Sequence, residues 1–199
     1  MNLFPKEKTI LKRPNAELIY IENFYKSGIA NQYFNHFKQN INWQQDHITV
    51  FGKTYKQPRL TALYATNDKP YSYSGLTMQP LYFTEELLQI KSDVEQEAMH
   101  QFTTVLLNLY RNGNDSNGWH ADNEKELGKH PIIASVSFGE TRSFHFKHRH
   151  ITEERHKINL KHGSLLIMKG EMQEYWLHQI PKTKKVIGER INLTFRTIL

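Results

Sequence analysis

Alternation of polar and apolar positions dominates the second half of the chain. It runs through Thr103–Tyr110, Ile132–Phe138, Arg142–Phe146, Leu165–Met168 and Arg190–Ile198, with Gly, Asn, Pro or charged segments between the runs. Successive side chains of a strand point to opposite faces, so each run predicts a strand, and many short strands separated by turn signals predict an antiparallel sandwich or barrel. A helical period appears at Tyr25–Lys38 and within part of Thr84–Asn108, where Leu87, Leu88, Ile90 and Val94 are assigned to one face. Both helices are expected to pack against the sheet. No internal repeat, low-complexity tract or linker breaks the pattern, and 199 residues suit a single domain. A softer division sets an N-terminal extension, about residues 1–90, against a strand-rich half, about residues 91–199.

Composition sharpens this picture in three ways. Hydrophobic residues make up 38% of the chain, with 11 Phe, 10 Tyr and 3 Trp spread along it, enough to bury a core and to exclude a disordered chain. Cysteine is absent, so a disulfide framework and thiolate metal ligation are both excluded, and any metal must be held by His, Asp or Glu. The net charge of +6 favours an anionic partner such as nucleic acid. Residues 1–15 carry no apolar stretch like a signal-peptide core, and no run approaches eighteen apolar residues, so no membrane partner is expected. The expected compartment is cytoplasmic, or nuclear in a eukaryotic cell, and the expected state is a monomer.

The polar residues that stand out fall in the strand-rich half. In Gly118-Trp119-His120-Ala121-Asp122, an imidazole and a carboxylate lie two residues apart and, on an extended backbone, project from the same face. With His178 as a third ligand they make the two-His, one-carboxylate facial triad, which leaves adjacent positions on iron(II) open. By itself His-x-Asp is equally a surface or hydrogen-bonded histidine.

In Arg190-Ile191-Asn192-Leu193-Thr194-Phe195-Arg196, strict alternation puts Arg190, Asn192, Thr194 and Arg196 on one face and Ile191, Leu193 and Phe195 on the other. Two arginines facing a barrel interior would be penalised by several kcal/mol or more unless paired with an anion, which a dicarboxylate would supply. Arg196 is expected to hold one end of that dicarboxylate bidentately, with Arg190 nearer the metal. The alternative is an edge strand with both arginines in solvent. Asn108 and Tyr110 share a strand face in the same way and offer an amide and a phenol as donors, or else belong to an ordinary amphipathic strand.

Taken in order, Asn108-Leu109-Tyr110, His120-Ala121-Asp122, His178 and Arg190 to Arg196 resemble the ordered signature of the AlkB-type dioxygenases. Ile133–Gly139, His162–Leu166 and Asn192–Arg196 resemble core strands of that family, and the likeness runs from about Thr49 to the C-terminus, nearest the branch that acts on duplex DNA. The resemblance implies a mainly β fold with flanking α-helices, a double-stranded β-helix (jelly roll) with an N-terminal nucleotide-recognition lid. It implies iron(II) on His120, Asp122 and His178, and 2-oxoglutarate held by Asn108, Tyr110, Arg190, Asn192 and Arg196, with O2 as the third reactant. Val50-Phe51-Gly52 is similar to that branch's hairpin tip, whose apolar residue fills the gap left by a flipped base, although on its own it reads as a plain turn. Pro58-Arg59 and Tyr71-Ser72-Tyr73-Ser74-Gly75 resemble nucleotide-recognition segments, with Tyr73 stacking on the base against His120 and Glu124 at the base edge. Two positions depart from the branch: Asn123 stands where a second Asp is common, and Tyr73 where Phe is common.

The implied reaction couples 2-oxoglutarate decarboxylation to hydroxylation of an N-methyl group on adenine or cytosine, with succinate and formaldehyde as products. A methyl group inside a duplex is unreachable, so the base must be extruded at a cost of about a few kcal/mol. The implied partner is DNA, duplex and single-stranded, with RNA as a further partner. The basic clusters Lys147–His150, Arg155–Lys157 and Lys182–Lys185 are assigned to loops where they contact phosphate or are simply solvated. Three other readings remain: an AlkB-fold oxygenase for RNA or protein, a non-catalytic nucleic-acid-binding module, and a jelly-roll protein holding zinc or manganese.

Overall fold

A computed structural model describes residues 7–50, 53–73 and 76–199. Along the chain, β1 (Thr9–Arg13) and β2 (Ala16–Ile21) form a hairpin, and helix α1 (Ser27–Asn40) follows. Strands β3 (His47–Val50) and β4 (Lys53–Lys56) form a second hairpin, then come β5 (Leu60–Ala65), the paired strands β6 (Tyr71–Tyr73) and β7 (Leu76–Met78), β8 (Leu81–Tyr82) and helix α2 (Glu85–Ala98). The remaining strands are β9 (Thr104–Tyr110), β10 (Asn117–His120), β11 (Ile133–Gly139), β12 (Arg142–His148), β13 (Arg155–Leu160), β14 (Ser164–Lys169), β15 (Trp176–Ile180) and β16 (Arg190–Arg196), with the short helix α3 (Met172–Tyr175) between β14 and β15.

Eight strands make a major sheet in the order β1-β2-β14-β11-β16-β9-β5-β8, and four make a minor sheet, β10-β15-β12-β13. One apolar cluster joins the inner faces of the two sheets through residues such as Leu106, Leu166, Phe144, Phe146 and Trp176. A second lies on the other side of the major sheet, where Phe37 of α1 and Leu87, Ile90 and Val94 of α2 meet Leu107, Val136, Leu193 and Phe195. Both faces of β9, β11, β14 and β16 are therefore covered, and these strands are buried almost throughout. Such a sandwich, with helices against its larger sheet, is the expected jelly roll. The five sequence-derived strands all appear, with ends shifted by a residue or two, as hydrogen-bond definitions commonly shift them.

Helix α2 starts where Thr84 accepts the Leu87 amide at 3.4 Å and places Glu85 and Glu86 in the first turn, where the positive end of the helix dipole favours acids. Leu88, expected on the buried stripe, is exposed; the stripe is Leu87, Ile90, Val94 and Ala98. The division near residue 90 is also corrected, because it cuts through α2, and β1, β2, β5 and β8 are members of the major sheet rather than a separate half. What resembles a lid is narrower: the hairpins β3–β4 and β6–β7, each its own two-stranded sheet. Among the described residues no helix is long and apolar enough to cross a membrane.

Candidate functional site

The cavity of interest opens between the two sheets and is lined from both, with Asn108, Tyr110, Arg190, Asn192, Thr194 and Arg196 on the major sheet and His120, Phe144 and His178 on the minor one. His120 ends β10 and lies directly across from His178 of β15, so neighbouring strands bring the two rings to 4.3 Å between centroids. Asp122 lies beyond the end of the strand rather than on it, which departs from the expected extended His-x-Asp. Its backbone N–H donates to Gln173 Oε1 at 3.0 Å, and Arg196 Nη2 donates to its Oδ1 at 2.8 Å, so two buried groups turn the carboxylate toward the imidazoles. Ligand atoms of His120, Asp122 and His178 all lie within 4.8 Å of one another.

This donor set fits a divalent metal in chemistry as well as in spacing. His120 Nδ1 lies 2.8 Å from the Gly118 carbonyl, an acceptor, so Nδ1 carries the proton and Nε2 keeps its lone pair for a ligand. His178 is buried, and burial first and the neighbouring His120 second push its pKa down to about 3, which keeps it neutral as a metal requires. Burial alone would raise Asp122, but Arg196, His178 and His120 outweigh it and hold the carboxyl well below the usual range, hence ionised.

The two arginines differ. Both are almost fully buried, which settles the choice between a barrel interior and a solvent edge. Arg196 faces Asp122, and this anion, with Tyr71, overcomes the effect of burial and raises its pKa. Arg190 faces no carboxylate among the described residues: Nη2 donates to Ser137 Oγ at 2.9 Å and burial lowers its pKa to about 10, while Nε and Nη1 lack a hydrogen-bond partner in both arginines. The order along β16 is thus the reverse of the expected one, with Arg196 at the metal end and Arg190 beside the Tyr110 ring at 5.2 Å. A six-residue step along a strand sets that distance, and the sequence does not say which end points to the metal.

Around Arg190 the wall is polar and ordered. Asn108 gives its amide oxygen to Arg59 Nε at 2.7 Å, so what it offers a ligand is its NH2 group. Asn192 donates to Ser135 Oγ at 2.7 Å and to the Val136 carbonyl at 3.0 Å, while its oxygen accepts from Thr194, so its amide braces the wall. Arg59 is buried and also donates to the Ser116 carbonyl at 3.3 Å, which places it on the Asn108 side of the cavity rather than on an exposed recognition segment. Tyr71, also in the cavity lining, is buried with the Arg196 guanidinium 5.3 Å over its ring. Glu124 stands beside it, raised in pKa by burial and by Asp122. Ile48 carries the β3–β4 hairpin to the cavity. The Val50 and Tyr73 side chains, with Phe51, Gly52 and Ser74, fall outside the described residues.

Gln173, Ser135, Ser137 and Phe144 were not singled out from the sequence. The first three act by hydrogen-bonding a residue that was, and Phe144 packs 5.3 Å from the His178 ring. Ser135 and Ser137 fall on one face of the alternating run Ile132–Phe138, a polar face inside a buried strand, and that signal could have found them.

Residues 17–196 match the profile of the 2OG-Fe(II) oxygenase superfamily. The chain is 43% identical over 178 residues to the alpha-ketoglutarate-dependent dioxygenase alkB homolog 3 of Bos taurus, with 85% of this chain and 62% of that protein covered. It is 36% identical over 226 residues to the DNA oxidative demethylase ALKBH2 of Arabidopsis thaliana, with 98% and 70% covered. It thus spans about three-fifths of the alkB homolog 3 proteins it matches. The solved structure of OsALKBH1 superposes with a TM-score of 0.68 over 95% of this chain and 100% of that one, at 18% identity, a likeness of fold.

Proposed function

The chain belongs to the 2OG-Fe(II) oxygenase superfamily, among its AlkB-type members, and from that premise we propose that it removes alkyl groups of the 1-methyladenine and 3-methylcytosine type from DNA bases. The observation that carries the cosubstrate half of this reading is Arg190, a buried guanidinium with two nitrogens unpartnered and no carboxylate beside it. An uncompensated buried charge is costly, so it is retained where a ligand supplies the anion. A dicarboxylate lying between Arg190 and the triad would meet the guanidinium at one end and the metal at the other, with the Asn108 amide and the Tyr110 phenol as further donors.

His120, Asp122 and His178 would hold iron(II) by one face. Bound there with 2-oxoglutarate and O2, the metal supplies the oxidising chemistry that hydroxylates an N-methyl group, with succinate and formaldehyde released. The chain's own task is geometric and electrostatic. Arg196 holds Asp122 ionised and oriented, and Arg190 presents its guanidinium to the cavity from a buried position on β16. Tyr71 and Glu124 form the side of the cavity where a flipped base would lie, with the Glu124 carboxyl placed to meet the base edge. Val50, Phe51 and Gly52 as the wedge, Tyr73 and Ser74 as the base contact, and action as a monomer on duplex and single-stranded DNA complete the reading. Relatives named DNA oxidative demethylase favour DNA over RNA.

The test is release of formaldehyde and succinate from a duplex carrying 1-methyladenine, with iron(II), 2-oxoglutarate and ascorbate, for the native chain and His120→Ala. Turnover that the substitution abolishes is the expected result. Succinate without base repair would leave the metal and cosubstrate sites standing and make the substrate wrong. Neither product from a metallated protein would end the catalytic reading.

A further inference from the structure

The minor sheet has an outer face that the mechanism does not use. Its inward side chains, such as Phe144, Phe146, Trp176 and His178, are buried, so alternation turns His145, Lys147, Arg155 and Lys157 outward on β12 and β13. Pairing sets Lys147 beside Arg155 and His145 beside Lys157, and none of the four strands of this sheet contains an Asp or Glu. Of the two acids in the intervening turn, Glu154 is engaged with His156 at 2.5 Å. At the other edge of the same face Trp119 is 41% exposed, and Lys147 reaches across β15 to place its ammonium 4.4 Å over the indole. Trp119 immediately precedes the cavity-lining His120 and lies on the opposite face of β10, the edge strand of the sheet.

We propose that this outer face, with Trp119 as a stacking platform and Lys147, Arg155 and Lys157 as phosphate contacts, binds the single-stranded DNA that flanks the base held in the cavity. The proposal rests on the reading of the cavity as a base pocket in DNA. An aromatic beside a row of cations is what a single strand requires, since every base has a face to stack and every nucleotide a charge to neutralise. Because β10 is the edge strand, a nucleic-acid strand whose base enters beside His120 rounds that edge onto the outer face, where it meets Trp119 and then the cations of β12 and β13. Such a face reads no sequence, so it would add affinity without base choice.

Unmodified oligothymidylate, which carries no N-methyl group, isolates this face from the chemistry. Titrated into the native protein it is expected to quench tryptophan fluorescence, since Trp176 is buried, Trp43 is half-buried against the core behind the major sheet, and Trp119 is the exposed indole. Trp119→Ala should abolish the quench and weaken binding roughly tenfold. Arg155→Gln and Lys157→Gln, at exposed strand positions that leave the core untouched, should each lower the slope of log affinity against log salt by about 0.7. Unchanged affinity and salt slope in these variants would overturn the face while base repair still stood in the duplex assay. Oligouridylate bound more tightly than oligothymidylate would overturn the assignment to DNA. If repair itself failed in the native protein, the fault would lie with the cavity reading, which the fluorescence titration does not touch.

Discussion

Two arginines six residues apart on β16 have opposite roles because of what each faces. Arg196 donates to Asp122 at 2.8 Å inside the protein, so removing it strands a buried carboxylate. Arg196→Met is expected to destabilise the metal-free protein by about 3–5 kcal/mol in urea unfolding. Arg190 meets Ser137 and no carboxylate, so its charge is uncompensated until a ligand arrives. Arg190→Met should leave the metal-free protein as stable as the native chain or more so, while weakening 2-oxoglutarate binding to the Mn(II)-loaded protein by about 1.5–3 kcal/mol in calorimetry, the range for hydrogen bonds to charged groups. A loss of stability in Arg190→Met as large as that in Arg196→Met would mean that Arg190 is a structural residue and that the cosubstrate anion lies elsewhere. The alternation in residues 190–196 reveals both arginines from sequence, but their different duties depend on Asp122 and Ser137, which no local pattern places beside them.

At the scale of elements, the strands that carry the metal ligands are fixed by the loops at their ends. Arg142 of β12 is buried and donates to the carbonyls of Asp115 at 2.8 Å, Pro181 at 2.7 Å and Asn112 at 3.3 Å, tying the loop before β10 to the loop after β15. The same loops meet at Gly113, whose carbonyl accepts the Thr183 amide at 2.8 Å and where a Cβ would come within 2.4 Å of the Thr183 oxygen. Arg142 also lies 5.4 Å over the Tyr110 ring, which the Arg190 guanidinium approaches as well, at 5.2 Å. Arg142→Met should cost about 2–4 kcal/mol of stability in urea unfolding by leaving buried carbonyls unpaired, and raise KM for 2-oxoglutarate more than it lowers kcat; Arg142→Lys should recover only part, lacking the planar fork. Asp115, in the first loop, accepts from Arg111 at 2.7 Å and 2.9 Å. Burial would raise its carboxyl, but Arg111 and Arg142 outweigh that and lower it. A carboxyl whose folded pKa lies below its unfolded value, about 3.9, contributes stability above that pH and loses it as pH falls through the folded value. Asp115→Asn should therefore cost about 1–3 kcal/mol at neutral pH, with the gap from the native chain narrowing below about pH 4. The strand periods and the His-x-Asp, His and Arg spacings were legible because they are local. The Arg142 clamp was not, since its acceptors are backbone carbonyls from segments about thirty to forty residues away, and a carbonyl leaves no mark in the sequence.

For the whole molecule, a metal held by His120, Asp122 and His178 would link layers that also meet through the apolar cluster and through polar contacts such as the Tyr20 hydroxyl donating to the Asn159 carbonyl at 2.9 Å. His120 and His178 belong to the minor sheet, Asp122 to the loop beyond it, and the Asp122 carboxylate is held by Arg196 of the major sheet and its amide by Gln173 of α3. The unfolded chain lacks this convergence, so a divalent ion that binds the triad is expected to stabilise the folded form by mass action, by about 2.7 kcal/mol at a hundredfold excess over Kd. For a chain of this size that is roughly 5–10 °C in Tm. Stripping metal with EDTA and adding back Mn(II) should move Tm by that amount in the native protein and by almost nothing in His178→Ala. Adding 2-oxoglutarate should raise Tm further only where Mn(II) is present, because one end of the dicarboxylate needs the metal and the other needs Arg190. A full shift from 2-oxoglutarate in the metal-free protein would place its binding on the arginines alone and separate the two halves of the site. A metal-induced shift surviving in His178→Ala would mean that the ion sits on other ligands, and the cluster of His120, Asp122 and His178 would then not be the metal centre.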